Sequence, residues 1–417
     1  MNNQHTKRNS WEYFLLRAAR AISLTEPQYS KIDDRYSQLQ RILSALDTPP
    51  LLEGAHIFPQ GSMRLRTTIN PVPDAPADLG TIDADAIVWL PNAAGVEAET
   101  ILAAIEKRFQ EGSRVQQSIQ QLRRGIRIVY ADQNPGFHID VTPARAIGSN
   151  NQTEGQGKLE VPDREHGWKA SSPIPYSDWL QEASKQQFRI IEEAFSLNKS
   201  IRAADSATQA PLPEYVEYQN DDPLRAAIKL LKRHRDEWAI RTKNEEVRPI
   251  SAVITTLATH AWLNVVKQSQ QCPLTPLEAI TEIVRQLPDA IRRDQRGFLV
   301  CNPKDNGENF AEKWNRPGEG ISYYRAFLKW HESAWDAVNL GLQDYDSTDA
   351  FADAIKANFG IGRTFIDEVN SNIPSGWTMP GRPEGVTRNT ASMGALFGTA
   401  TGGSDSQASV KPVGRLG

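Results

Sequence analysis

The chain is 417 residues long, with 39% apolar and 24% charged residues and a formal net charge of −4. That length allows two or more packed domains, the composition excludes a disordered or fibrous chain, and the mildly acidic balance leaves room for a local basic pocket but supplies no bulk field toward DNA or anionic membranes. Two cysteines, Cys272 and Cys301, with no His/Cys pairs at zinc-finger spacing, set aside a disulfide framework and a structural zinc, while a polar start and the lack of any long apolar run make a cytoplasmic protein with no membrane contact the expectation.

Residues 11–24 read as an amphipathic helix. Thr25 caps a second helix with Pro27 in its first turn. Its Ile32, Tyr36, Leu39, Leu43 and Leu46 fall on one face, and Pro49-Pro50 ends it. From about 55 to 145 the pattern changes. Ala55–Phe58 is a short apolar run and Pro59-Gln60-Gly61-Ser62 reads as a turn. Ile82–Leu90 alternates as a strand, Glu97–Gln110 reads as a helix, and Gly125–Ala131 and Phe137–Pro143 read as a hairpin turning at Asp132–Gly136.

Beyond about 176 the pattern is almost wholly helical: 177–197, 222–240, 250–267, 276–287, 322–341 and 347–358. Asp221-Asp222-Pro223 starts the second of these, and Thr275-x-x-Glu278 is a capping box for the fourth. More than half of residues 387–417 are Gly, Ala, Ser or Thr, so 375–417 reads as a mobile tail. The expected fold is α+β: N-terminal helices (1–50) bracing a sheet domain (51–175) and a mostly helical domain (176–374), followed by the tail.

The chemistry begins with carboxylates. Asp83 and Asp85 point to one face of their strand because the side-chain period is two. Like charges so placed repel unless a cation lies between them. On the later strand His138, Asp140 and Thr142 share the face opposite the apolar Phe137, Ile139 and Val141, so Asp140 meets the pair if those strands are neighbours. Three hard oxygen donors on a rigid sheet suit Mg²⁺. An Asp-x-Asp pair alone more often lies on a solvated face, and Gly61-Ser62 alone is more often an ordinary turn. In order along the chain, a Gly turn suited to phosphate oxygens, paired carboxylates and a third carboxylate strand are jointly more specific.

FPQGSMRLRTTI (58–69), TIDADAIV (81–88) and FHIDVTPA (137–144) resemble the DNA polymerase β-like nucleotidyltransferase superfamily. Within it the chain resembles the CD-NTases, bacterial relatives of cyclic GMP-AMP synthase and oligoadenylate synthase, over roughly residues 10–370. The resemblance includes W-x-x-S-x-P-x-P-Y (168–176), a basic helix and a late Asn-Pro…Asn-Phe segment. It implies a polymerase β-like sheet domain against an oligoadenylate synthase-like helical domain. It further implies synthesis of a cyclic di- or tri-nucleotide messenger from NTPs, ATP among them, in CBASS anti-phage defence.

By this resemblance Gln60, Gly61 and Ser62 hold the donor triphosphate. Asp83, Asp85 and Asp140 are catalytic and bind two Mg²⁺ ions, for which Mn²⁺ substitutes. Lys229 or Lys232 on the helix Leu224–Ile240 meets nucleotide phosphates, Lys232 being favoured, and a solvated basic face is the other reading. Ser251 resembles a phosphate-contacting serine or is a helix cap; Asn302 and Asp305 read base edges or build a turn, with Asn309 beside them. Tyr176 stacks on a base or packs a hinge; His138 is a general base or, as favoured, structural; and Arg123, Arg124 and Arg127 flank the nucleotide or, as favoured, form a solvated hairpin edge. Asn70–Gly80, longer than the family pattern, reads as a loop over the site, and its Asp74 and Asp78 lie on backbone too flexible to hold a metal.

The terminal Gly417 resembles the C-terminus that an E1–E2-like ligase conjugates in many CBASS operons. The product would act on a cyclic-nucleotide-activated effector, with no duplex-DNA requirement. Two rivals stand beside this reading: a nucleotidyltransferase with an RNA, protein or small-molecule acceptor, and a catalytically silent scaffold acting through its tail.

Overall fold

The computed structural model of the protein describes residues 3–45, 47–73, 75–76, 79–112, 118–132, 135–147, 154–186, 188 and 222–387. Two helices come first, and each joins a different core. Helix α1 (Asn3–Ala21) buries Trp11, Phe14 and Leu15 among the C-terminal helices, with the Trp11 indole N–H donating to the Val338 carbonyl at 2.8 Å. Helix α2 (Glu26–Leu43) buries Ile32, Tyr36, Leu39 and Leu43 against the sheet, as their spacing requires. The Thr25 N–H donates to the Gln28 side chain at 2.9 Å, closing its first turn. Leu46, expected on the same face, lies outside the described residues.

Strands β1 (His56–Gln60), β2 (Thr81–Trp89), β3 (Ile119–Leu122), β4 (Gly125–Val129) and β5 (Gly136–Ala146) form a sheet in the order β1-β2-β5-β4-β3. Only β2 and β5 run parallel within that path. A parallel pair needs a long crossover, which here contains a helix, α4 (Ala98–Gly112), whose Ile101, Leu102, Ile105 and Phe109 are buried. Helix α3 (Gly61–Leu65) follows β1 directly, so the expected turn at 59–62 is instead a strand running into a helix. Strands β6 (Leu159–Asp163) and β7 (Gly167–Ser171) extend the sheet from β5. Their mixed sequences, like that of β3, lack the alternation that marks β2.

The helical lobe comprises α5 (Pro173–Ser184), α6 (Pro223–Thr242), α7 (Ser251–Gln271), α8 (Pro276–Gln286), α9 (Gly320–Val338), α10 (Thr348–Phe359) and α11 (Arg363–Asn372). Hairpins β8 (Arg292–Asp294)–β9 (Gly297–Leu299) and β10 (Cys301–Asn302)–β11 (Asp305–Asn309) interrupt it. The helix expected over 177–197 starts earlier, at Pro173, and ends at Ser184; residues 189–221 lie outside the described residues. Helix α6 is the axis of the lobe: Lys229, Lys232, Arg233 and Arg235 are buried along with its apolar stripe, so it is not a solvated basic face. Asp222 caps it, accepting from the Arg225 N–H at 2.9 Å. The chain beyond 375 does not immediately become a tail. Thr378 bonds Thr6 through both its hydroxyl and its backbone N–H at 3.2 Å, and Met379 is buried. Residues 388–417, with Gly417, lie outside the described residues. No helix among the described residues is long and apolar enough to cross a membrane.

Candidate active site

Strand register assembles the site. Gln60 of β1 pairs with Asp85 of β2, Asp85 with Asp140 of β5, and Asp140 with Arg127 of β4, so one row crosses four strands. Two register positions away, on the same face, Asp83 pairs with His138. Because alternate residues share a face, Asp83 and Asp85 leave the apolar core together while Ile82, Ala84 and Ala86 enter it. The expected meeting of Asp140 with the Asp83/Asp85 pair is therefore produced by parallel pairing of β2 with β5.

Gly61 makes the close approach beside them. Its φ is +59°, and a Cβ there would stand 2.2 Å from Asp85 Oδ2, so any side chain would displace the carboxylate. Ser62 Oγ accepts a hydrogen bond from Lys232 Nζ at 2.7 Å, and the same ammonium donates to the Thr67 carbonyl at 2.9 Å. Lys232 thus reaches from the helical lobe into the Gly-Ser turn of the sheet lobe. Burial, then Arg235, pushes its pKa down to about 7.

The carboxylates differ in their support. Asp140 is held by Arg127, whose Nε and Nη2 donate at 2.7 and 3.0 Å in a bidentate pair. Asp83 lies 2.8 Å from His138 Nε2. Among the described residues no donor reaches Asp85. Burial pushes the Asp85 carboxyl well above the usual range, and the charges of Asp83 and Asp140 add to the rise. Burial likewise lifts Asp140 against the pull of Arg127, whereas for Asp83 burial is outweighed by the hydrogen bond and charge of His138, and its pKa falls.

Ligand atoms of Asp83, His138 and Asp140 lie within 4.8 Å of one another. Carboxylates that raise one another's pKa are the electrostatic condition a divalent cation relieves, and hard oxygens are its donors. The converging donors are Asp83, His138 and Asp140, whose two carboxylates and one imidazole suit such an ion, and Asp85 stands beside Asp140 in the strand register.

A cleft of about 240 Å³ opens from this cluster between the lobes. Gln60, Gly61, Ser62, Asp83 and Asp85 form one end, and Pro173, Tyr176, Ser251, Thr255, Glu308 and Phe310 form the other. The Tyr176 hydroxyl lies 2.8 Å from Thr256 Oγ1, and the ring meets Phe310 edge-on at 5.4 Å. Tyr176 is thus both packed and cleft-lining. Ser251 opens α7 and accepts from Arg235 Nη1 at 3.0 Å; the helix cap is Ile250, not the serine.

Five expected site residues do not line the cleft: Asp140 and Lys232, which adjoin Asp85 and Ser62 at its edge, and Lys229, Asn302 and Asp305. Lys229 is buried on another side of α6 and donates to Ser23 Oγ at 2.7 Å. Asn302 donates to the Ser172 carbonyl and to Glu308 at 3.2 and 2.8 Å, and accepts from the Lys304 N–H at 2.9 Å. Asp305 accepts from Ser172 Oγ at 2.8 Å and the Gly307 N–H at 3.0 Å. Both belong to the β10–β11 hairpin, which their short-range bonds close and their bonds to Ser172 tie to the start of α5. Arg123 and Arg124 bond Asp163, and Arg124 also reaches Glu312. Asp74 and Asp78 lie outside the described residues.

Sequence reasoning missed Arg64, Glu308 and Phe310, and it favoured a hairpin edge for Arg127. Arg127 was legible, since alternation along β4 puts it on the face of Asp140. Arg64, which donates to Ser177 Oγ at 2.6 Å across the lobes, and Glu308 and Phe310 carried no local signal.

Residues 10–184 match the model of the Second Messenger Oligonucleotide or Dinucleotide Synthetase domain. The chain is 25% identical over 328 residues to a c-di-GMP synthase of Roseivirga ehrenbergii, covering 77% of each chain. It shares its fold with the CD-NTase CdnG of Bradyrhizobium diazoefficiens, solved in complex with GTP: TM-score 0.60 at 19% identity, covering 87% of this chain and 98% of that one. The CdnC chain of an E. coli MS115-1 CdnC:HORMA-deltaN complex matches with a TM-score of 0.51 at 13% identity, covering 83% of this chain and 96% of that one. The carboxylate row lies within the segment that matches this domain model, and the fold as a whole is the one seen in the CD-NTase structures.

Proposed function

We propose that the chain is a divalent metal-dependent nucleotidyltransferase that joins NTPs into a cyclic di- or tri-nucleotide second messenger. The observation that carries this reading is the convergence of Asp83, Asp85 and Asp140 beside Gly61-Ser62 at one end of an interlobe cleft. The product of the Roseivirga relative supports GTP as a substrate; ATP is the other NTP expected from the sequence.

Asp83, Asp85 and Asp140 would hold Mg²⁺, in a pair of ions that Mn²⁺ can replace. Such ions supply activation of the attacking hydroxyl and charge neutralisation at the leaving pyrophosphate. The chain's own groups position everything else. Lys232 offers a compact cation at Ser62, where a triphosphate would restore the charge that burial weakens. His138 fixes the Asp83 carboxylate and Arg127 that of Asp140. Tyr176 and Phe310 present aromatic surface at the far end, suited to a base. A ribose hydroxyl of one nucleotide attacks the α-phosphorus of another, pyrophosphate leaves, and a second bond closes the ring. Positioning and electrostatics supply the acceleration, with no covalent enzyme intermediate.

The messenger would serve CBASS anti-phage defence by activating a cyclic-nucleotide-dependent effector, and an E1–E2-like ligase acting at Gly417 is part of the same reading. Purified chain incubated with four α-labelled NTPs and Mg²⁺ or Mn²⁺, then with phosphatase, should yield phosphatase-resistant cyclic species. NTP consumption that persists undiminished in the Asp83→Ala/Asp85→Ala variant would falsify the proposal. Label transferred to an RNA, a protein or a small molecule would instead identify the acceptor of the rival reaction.

A further inference from the structure

Five large apolar side chains stand exposed among the described residues, and three of them, Ile321, Leu328 and Trp335, lie on α9 at intervals of seven. Their exposures are 46%, 40% and 37%. Seven residues fall about 20° short of two full turns, so the three side chains form one nearly straight stripe, about 21 Å long. The opposite face of α9 is already used: Ala326, Phe327, Trp330, Ala334 and Ala337 are buried in the helical core. Flanking the stripe, Arg325 and Glu332 are exposed, each four residues after a stripe position. Neither has an ion-pair partner within the chain among the described residues.

We infer that α9 is the contact helix of a two-fold dimer, pairing antiparallel with α9 of a second copy. The argument for that occupant is self-complementarity. With Leu328 on the two-fold axis, Ile321 packs against the partner's Trp335, and Leu328 against the partner's Leu328. The same register brings Arg325 beside the partner's Glu332, and symmetry repeats that pair on the other side of the axis. Antiparallel helices place equivalent flanking positions of a heptad against each other, so flanking charges select orientation. Parallel pairing would leave both charges without a counterpart. An isologous contact of this kind closes on itself and stops at two chains. The three apolar groups are the desolvated centre and the charges are the rim. None of the side chains lining the cleft belongs to α9, so the contact leaves the cleft intact.

Sedimentation velocity on the full chain over a roughly hundredfold concentration range tests this. The weight-average mass should rise from that of one chain toward that of two. Leu328→Asp, which sets two carboxylates together on the axis, should weaken association at least about a hundredfold. Arg325→Glu should weaken it about tenfold by facing the partner's Glu332, and Arg325→Glu combined with Glu332→Arg should restore it. All three positions are exposed, and a circular-dichroism melt like that of the parent certifies each variant as folded. One-chain mass at every concentration overturns the inference and leaves the stripe to a partner of another kind. Association that Leu328→Asp leaves unchanged overturns it as well, and a double charge reversal that fails to recover overturns the antiparallel register.

Discussion

Asp85 and Asp163 stand in the same lobe, and their pKa values move in opposite directions. Asp163 ends β6 with its side chain fully buried, and burial would raise it. Instead Arg123, the backbone N–H of Glu165 and Arg124 hold it at about 2. Asp85 also loses solvation, but its neighbours are Asp83 and Asp140, and its pKa is pushed up. The difference separates two uses of a carboxylate. One is a strut whose lone pairs the fold has satisfied, and through Arg124 and Glu312 it ties the sheet lobe to the helical lobe. The other is held among like charges and is satisfied only when something cationic arrives. The β10–β11 hairpin repeats the first pattern with Asn302 and Asp305.

The largest effect should come from breaking the unsatisfied member. Asp85→Asn removes one hard donor and should lower NTP turnover by about a thousandfold or more. Measured without divalent ions, the same variant should unfold about 2 °C higher, because a repulsion is gone; a lower midpoint would show that Asp85 is a strut after all.

The two buried lysines of α6 sharpen the comparison next. Lys232→Met should raise the KM for NTP about a hundredfold, since its ammonium stands at Ser62. Lys229→Met should leave KM within about twofold, because that ammonium faces Ser23 away from the cleft. Equal effects on KM would remove the distinction between them.

Breaking the satisfied strut should cost stability. Asp163→Asn should destabilise the chain by about 3 kcal/mol at neutral pH by removing the buried charge that Arg123 and Arg124 share, which leaves them only Glu165 and Glu312. The sign with pH follows from its lowered pKa. The unfolded chain binds the proton near pH 4 and the folded chain only near 2, so the parent loses stability as pH falls through that window. Denaturant melts should therefore show parent and variant converging between about pH 4 and pH 2. The smallest effect belongs to the hairpin. Asn302→Ala should lower stability by about 1–2 kcal/mol without changing the relative kcat/KM among NTPs, and a changed base preference would return Asn302 to the site.

Much of this was legible locally. The period-two alternation at 81–89 put Asp83 and Asp85 on one face, the alternation at 136–146 separated Asp140 from the core, and Gly61 marked a place where no side chain fits. The helix starts at Thr25, Asp222 and Thr275 were readable because a cap is a contact between residues three apart. Lys229 and Lys232 were harder to tell apart. Three residues apart on one helix, they differ by about 60° in direction, and what surrounds each direction comes from segments more than a hundred residues away. Asn302 and Asp305 looked like ligand donors because amides and carboxylates serve hairpins and bases equally well; only their partners at Ser172, Lys304 and Gly307 decide which.

The sequence by itself determined the chemical types and their faces: three carboxylates on two strands, a glycine beside them, and a basic helix with an apolar stripe. Backbone periodicity and local capping suffice for that, since both act over a few residues. The tertiary structure decided what meets what. Parallel pairing of β2 with β5 set Asp85 beside Asp140, β4 brought Arg127 to Asp140, and burial of α6 carried Lys232 to Ser62. Those contacts depend on strand register and lobe packing, which are fixed by the summed burial of many distant side chains and so are written in no single segment.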